Sequence, residues 1–221
     1  MLAPIPKLTK AEIVELYRWK CSHGHRGIAH YNCYLREGGI QEKLGFFDIE
    51  CSNLKANFGI IFSYSFKVAG KKKYYEGVVT KKEMNEGVLD KRVVWDCIND
   101  MLRFDRIVGH YSTKFDVPYI RTRALYWGLE FPLFGEVRHT DTYYMARAKL
   151  CLHSNRQNVI AETLHGYSHK TKIDPKHWIM ALQGNEEALK YISKHNRIDV
   201  IELEKNYDKL VPFTARSNRS I

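Results

Sequence analysis

Residues 45–54 read GFFDIECSNL. With the preceding Leu44, the apolar Phe46, Phe47 and Ile49 describe a buried strand, yet the run carries Asp48 and Glu50 two residues apart. Side chains alternate across a strand, so Phe46, Asp48 and Glu50 share one face and Phe47, Ile49 and Cys51 the other, with the two carboxylates about 7 Å apart along the chain. Charge in a dry strand is costly unless it is paired, hydrogen-bonded or bound to metal. The stretch is therefore either an edge strand with a solvated acidic face or a central strand whose carboxyl end carries a cation site.

Around it the aromatic and β-branched runs FGIIFSYSFKV and KKYYEGVV predict two further strands, and three strands with short links predict an antiparallel meander. The segment VLDKRVVWDCINDML has apolar residues at helical spacing and leads into the short apolar strand RIVGHY, the pattern of a crossover. The second half reads as helical: residues 116–127, TYYMARAKL, NRQNVIAETLH, PKHWIMAL and the long NEEALKYISKHNRIDVIELEKNYDKL capped by Asn185, with a short strand at VRHTD. At the other end, Thr9 and Glu12 have capping-box spacing before Ile13, Leu16 and Tyr17, which predicts a short helix. The polar joint REGGIQEKLG divides the chain into an appendage, 1–40, and a main domain, 41–221; the tail TARSNRSI is expected to fray.

The 221 residues suffice for one domain of α/β size plus a small appendage. Lys and Arg number 35 against 25 Asp and Glu, a net charge of +10, and such a surplus points to a polyanionic partner, with nucleic acid the first to consider. No apolar run reaches the length of a membrane span and MLAPIPKLTK has no signal core, so no membrane partner and a cytoplasmic, intracellular protein are expected. The odd count of five cysteines, with Cys51, Cys97 and Cys151 standing singly, suits reduced thiols better than a disulfide framework. No G-x-G-x-x-G follows a strand, which disfavours a dinucleotide-binding enzyme.

Further acids stand in apolar settings. Asp116 follows the strand RIVGHY between Phe115 and Val117, and His195 and Asp199 lie four apart on one helical face. Carboxylates converging from separate elements can hold two divalent ions that activate water and clamp the oxygens of a phosphodiester, and oxygen ligands favour Mg²⁺ or Mn²⁺. His195 could orient or deprotonate that water.

FDIE, KFDVPYIRTRA and HNRIDV, in that order, resemble the three motifs of the DEDD superfamily of exonucleases, and most closely the proofreading domains of family B DNA polymerases and their stand-alone relatives. The resemblance spans about residues 44 to 207. It implies an RNase H-like α/β domain with a central mixed five-stranded sheet flanked by helices. It also implies Asp48, Glu50, Asp116 and Asp199 as ligands of two Mg²⁺ or Mn²⁺, with Asp141 a supporting acid. Two positions depart from the pattern: His195 stands where this branch has Tyr, and Tyr111 where the second motif usually has Asn. No polymerase sequence follows, so a free-standing nuclease or a proofreading subunit with a polymerase partner is expected.

Cys21, His25, His30 and Cys33 have the spacing C-x3-H-x4-H-x2-C, with His23 a competing ligand. This segment reads either as a structural zinc site or as a reduced, His-rich loop that contacts nucleic acid. The run GKKKYY reads as a solvated hairpin tip, whereas Lys114, Arg121, Arg123, Lys149, Lys170 and Lys172 lie nearer the acids and are candidate phosphate contacts. Tyr111, Tyr119 and Trp178 are either core residues or stacking platforms for a frayed end. The leading expectation is a metal-dependent 3′→5′ exonuclease acting on single-stranded or frayed DNA ends. The alternatives are the same chemistry on RNA, and a nucleic-acid-binding or polymerase accessory module with little catalysis.

Overall fold

The computed structural model describes residues 9–37, 42–170, 172–214 and 221. Thr9 and Glu12 form the expected capping box of α1 (Lys10–Arg18), and α2 (Tyr31–Glu37) follows it. The main domain runs β1 (Leu44–Cys51), β2 (Ile61–Val68), β3 (Tyr74–Val78), α3 (Lys81–Asn85), α4 (Lys91–Met101), β4 (Arg106–Gly109) and α5 (Asp116–Tyr126). It continues with β5 (Arg138–Asp141), α6 (Thr142–Lys149), α7 (Gln157–His165), α8 (Pro175–Leu182) and α9 (Glu186–Leu210). The boundary expected near residue 40 and most of the tail fall outside the described residues. Ile221 itself is buried, and its N–H donates to Val137 O at 3.3 Å.

One five-stranded sheet has the order β3-β2-β1-β4-β5. The pairs β1/β2 and β2/β3 are antiparallel, as the meander predicts, while β4 and β5 continue the sheet in parallel. β1 is thus the central strand, and the edge-strand reading of its acids fails. The hairpin tip at Lys71, Lys72 and Lys73 is exposed as expected.

The alternation of β1 divides the core in two. Phe47 and Ile49 pack with Phe62, Phe66, Val93, Met101 and Ile120 in one cluster; Phe46 packs with Val108, Ile160, Val200 and Leu203 in the other. Helix α9 contributes to both. Its Ala188, Leu189 and Ile192 join the first cluster and its Val200, Leu203, Tyr207 and Leu210 the second, leaving the buried polar band His195, Asn196 and Asp199 between them. Among the described residues no helix is long and apolar enough to cross a membrane.

Helices α4 and α5 are locked together by a buried ion pair. Asp90, fully buried before α4, accepts two hydrogen bonds from Arg123 at 2.8 and 2.6 Å, one from Trp127 Nε1 at 2.8 Å and one from Ile61 N at 2.9 Å. Four donors satisfy a carboxylate that burial would otherwise make untenable. Replacing Asp90 with Ala strands the guanidinium in the core, and the expected cost is about 3–5 kcal/mol in urea denaturation. A loss below about 1 kcal/mol, the range of exposed pairs, would show that water reaches the pair.

Candidate active site

Pairing of β4 with β1 ends at Phe46↔Val108, and the pairing of β1 with β2 shifts register between Glu50 and Cys51. The carboxyl end of β1 is thereby free of β4 beyond Phe46, while its ladder with β2 stays regular through Glu50. Asp116, the first residue of α5, enters there: its Oδ1 accepts the Ile49 N–H at 3.2 Å, a bond that a longer β4 could have supplied. From α9 comes Asp199, so that Asp48, Glu50 and Asp199 each place one carboxylate oxygen within 4.8 Å of the other two. Asp116 is outside that tightest trio but one hydrogen bond from the backbone between Asp48 and Glu50.

Crowding and burial make ionisation of these acids costly. Asp48 is raised well above the usual carboxylate range, by burial first and then by Asp116, Asp199 and Glu50. Glu50 is pushed up to about 8 by burial and by Asp199, with Lys170 opposing. Asp116 is pushed up to about 7 by burial, although the Ile49 N–H favours its charged form. Burial raises Asp199 too, against the pull of Lys170.

Two side chains that the sequence reading did not assign to this centre meet it directly. Lys170, expected as a phosphate contact, places Nζ 2.6 Å from Asp199 Oδ2, where the charges of Asp48 and Glu50 also favour its ammonium form. Its loop is anchored by the buried Glu202, one turn beyond Asp199 on α9, which accepts from the Ser168 hydroxyl at 2.8 Å, His169 N at 2.6 Å and Lys170 N at 3.3 Å. Asn196 donates from Nδ2 to Asp48 Oδ2 at 3.1 Å, while its buried Oδ1 has no hydrogen-bond partner among the described residues. Gln157 fixes the same stretch of α9 by donating to Asp199 O at 2.8 Å.

His195 is buried one turn before Asp199, its ring 4.4 Å from that of Tyr191, which in turn stacks on His177 at 4.1 Å. The loop before α5 holds Tyr111 at φ +60°, a left-handed conformation that Asn tolerates more readily than Tyr. Asp141 compensates by accepting from Tyr111 N at 2.8 Å and Thr113 N at 2.9 Å while capping α6 through Tyr143 N at 3.0 Å. Gly109 is required here, since a Cβ would collide with Ser112 and with the ring of Phe47. The Tyr111 ring is 45% exposed, with Tyr143 edge-on at 4.9 Å.

The other candidates separate by position. Lys114, Lys149 and Lys172 are exposed. Arg123 is a correction: it was expected on phosphate, but its guanidinium is buried on Asp90 because the core supplies it a carboxylate. Arg121 stacks 5.0 Å from the centroid of Phe131. Tyr119 is buried and Trp178 packs on Phe62, both in the core. Far along the sequence, Cys21, His23, His30 and Cys33 bring their ligand atoms within 4.8 Å of one another; His25 is outside that set, with Nδ1 3.8 Å from Cys21 Sγ.

A mixed sheet in this order, with acids gathered at the end of its central strand, defines an RNase H-like domain carrying an acidic centre. The chain belongs to the RNase H superfamily, whose profile matches residues 45–211. No curated protein matches the chain. Among solved structures it is similar to the family B DNA polymerase from the hyperthermophilic archaeon Pyrobaculum calidifontis, with a TM-score of 0.61 and 18% identity, over 78% of this chain and 25% of that one. That identity supports the fold alone, and this chain spans a quarter of the polymerase. Membership and fold together support a nuclease in general terms.

The donor set fits hard divalent cations: three carboxylates share a small volume, a fourth adjoins them, and the ammonium of Lys170 already sits on one. Their titration predicts a pH-dependent stability. Glu50 and Asp116 hold protons in the folded chain at pH values between the ordinary 4.5 and 3.8 and the raised values of about 8 and about 7, whereas the unfolded chain has released them. Stability is therefore fullest below the ordinary values and falls as pH rises through the raised ones. His110, pushed down to about 4 by burial, has the opposite slope, but only below its ordinary 6.5. In chelator the unfolding free energy should fall from pH 6.5 to 8, by up to about 1.4 kcal/mol per pH unit for each proton released, and the melting temperature should fall with it. Mg²⁺ or Mn²⁺ should flatten the slope. A flat profile in chelator would show that these carboxyls are ionised in the folded chain without cost.

Proposed function

We propose that the chain is a metal-dependent 3′→5′ exonuclease that hydrolyses single-stranded or frayed DNA ends and releases 5′-monophosphates. The observation that carries this reading is the convergence of Asp48, Glu50 and Asp199, with Asp116 beside them, in an RNase H-superfamily sheet. These four acids would hold two Mg²⁺ or Mn²⁺. When bound, the ions supply Lewis acidity toward water and the scissile phosphodiester.

The chain's own groups do the rest. His195, held against Tyr191 one turn from Asp199, accepts a proton from the attacking water. Asn196 orients the Asp48 carboxylate, and the Glu202-anchored loop sets Lys170 beside Asp199. Exposed Lys114, Lys149 and Lys172 attract the phosphate backbone, in keeping with a net charge of +10, and the half-exposed ring of Tyr111 offers a face for a terminal base.

Lys170 also supports a second reading. An ammonium on Asp199 occupies ground that a cation would use, so the chain could bind strand ends and cut them poorly.

Digestion of a 5′-labelled single-stranded oligonucleotide in Mg²⁺ and Mn²⁺, beside a matched RNA, separates these readings. The expected result is a ladder shortening from the 3′ end of DNA, reduced about 10³-fold or more in Asp48→Ala. Tight binding without digestion in either metal establishes the binding module, and faster loss of the RNA establishes an exoribonuclease. His195→Ala should slow cleavage by about 10²–10⁴-fold and remove one limb of the pH–rate profile. An unchanged profile would leave His195 a packing role only.

A further inference from the structure

Residues 9–37 have little apolar core of their own. Among their described side chains the buried apolar ones are Leu16, Cys21 and Tyr34, with Trp19 edge-on to Tyr34 at 5.2 Å, and none joins either cluster of the main domain. A unit this small does not fold on so few apolar contacts, and natural chains of this kind use a covalent or metal staple. No cysteine here is in a disulfide, so the staple is of another kind.

The backbone is shaped for one. After α1 the chain turns back on itself between the bridged residues Lys20 and Arg26, with Cys21 N donating to His25 O at 2.9 Å and Gly24 N to Cys21 O at 2.8 Å. Gly24 takes φ +81° at the tip, a conformation that suits glycine. This turn presents Cys21 and His23. Opposite it, His30 and Cys33 lie three apart at the start of α2, hence on one side of a helical turn. Glu37, the last residue of α2, ties the helix to the turn by accepting from Ser22 N at 2.7 Å and Ser22 Oγ at 2.9 Å.

Between the turn and the helix the four ligand atoms converge. Cys33 Sγ is 3.7 Å from His30 Nδ1 and 3.8 Å from His23 Nδ1, and all four atoms lie within 4.8 Å of one another. A tetrahedral zinc with Zn–S near 2.3 Å and Zn–N near 2.0–2.1 Å has ligand-to-ligand edges of about 3.3–3.8 Å, so a small contraction closes the cage. The set is two thiol sulfurs and two imidazole nitrogens, which suits zinc and not the hard ions of the acidic centre. His25, equally plausible by spacing, instead lays its ring on that of His30 at 4.0 Å.

We propose that Cys21, His23, His30 and Cys33 bind one structural Zn²⁺ that folds residues 9–37. All four positions are filled by protein, so the site has no open coordination place and does no chemistry. His25 packs against a ligand ring and is not itself a ligand.

The test uses the full chain. Purified without chelator it should carry one zinc per chain. Exchanged with Co²⁺ it should show the intense visible bands of tetrahedral cobalt and a thiolate charge-transfer band. His25→Gln should keep both properties and His23→Gln should lose the tetrahedral spectrum. The reverse pattern, or a chain with neither zinc nor the cobalt bands, overturns the assignment. A measurement on the unmutated chain covers the case in which a variant misfolds. Stripping the metal with a zinc chelator should speed tryptic cleavage after Lys20 and Arg26 by at least about tenfold, with protection restored by Zn²⁺ and not by Mg²⁺. Unchanged cleavage on stripping would show that the segment folds without metal.

Discussion

The cost of negative charge on one face of a central strand organises this domain. Asp48 and Glu50 stand on β1 with Phe46 behind them in the core, and Asp116 and Asp199 are brought to the same place by two helices. Burial first, and then the charge of neighbouring acids, raises all four carboxyls. The fold answers with what it has: the ammonium of Lys170 on Asp199, the amide of Asn196 on Asp48 and a strand N–H on Asp116. One ammonium and two neutral donors do not neutralise four crowded acids. The same shortfall that costs the fold stability at neutral pH is what suits the site to the divalent cations we propose for it, so stability and the proposed chemistry are two readings of one electrostatic term.

That arrangement survives because the scaffold beneath it is overdetermined. Asp90 joins the start of α4 to Arg123 and Trp127 near the end of α5 and to β2 through Ile61 N. The position of α5 is thus fixed away from the acids, and its first residue, Asp116, arrives at Ile49 as a consequence. Helix α9 is anchored in one apolar cluster before the polar band and in the other after it. Neither helix depends on the carboxylates to stay in place. The domain can therefore tolerate repulsion at its centre.

Much of this was legible in the sequence because it is local. Period-two alternation identified β1 and its two faces, capping boxes and helical spacing located α1, α4 and α9, and acids in apolar runs marked Asp48, Glu50, Asp116 and Asp199. The resemblance to a known set of motifs added the sheet. What escaped depends on partners distant in the chain: Asn196 meets Asp48 across 148 positions, Arg123 meets Asp90 across 33 and Lys170 meets Asp199 across 29. A basic residue near an acidic motif looks the same in sequence whether it faces solvent, as Lys114 does, or closes a buried pair, as Arg123 does. Helices α2 and α3, with 7 and 5 residues, are too short to show a period. Spacing alone also could not say which of His23 and His25 lies closest to Cys21, His30 and Cys33 together, since the turn at Gly24 sets that.

The buried acids fall into two classes once their donors are counted. Asp90 accepts from Arg123, Trp127 and a backbone N–H; Asp141 from three backbone N–H groups; Glu202 from a hydroxyl and two backbone N–H groups. Their lone pairs are occupied by protein, so these carboxylates hold backbone in place and have little left to offer a ligand. Asp48 accepts from the Asn196 amide, Asp116 from the Ile49 N–H, Asp199 from the ammonium of Lys170, and Glu50 from no hydrogen-bond donor among the described residues. A carboxylate that the fold has buried but left under-coordinated is one whose remaining partner comes from outside the chain. By this measure Asp141, though it caps the helix beside the site, is a brace for the Tyr111 loop, and the four acids proposed as metal ligands are those that burial leaves with lone pairs to spare.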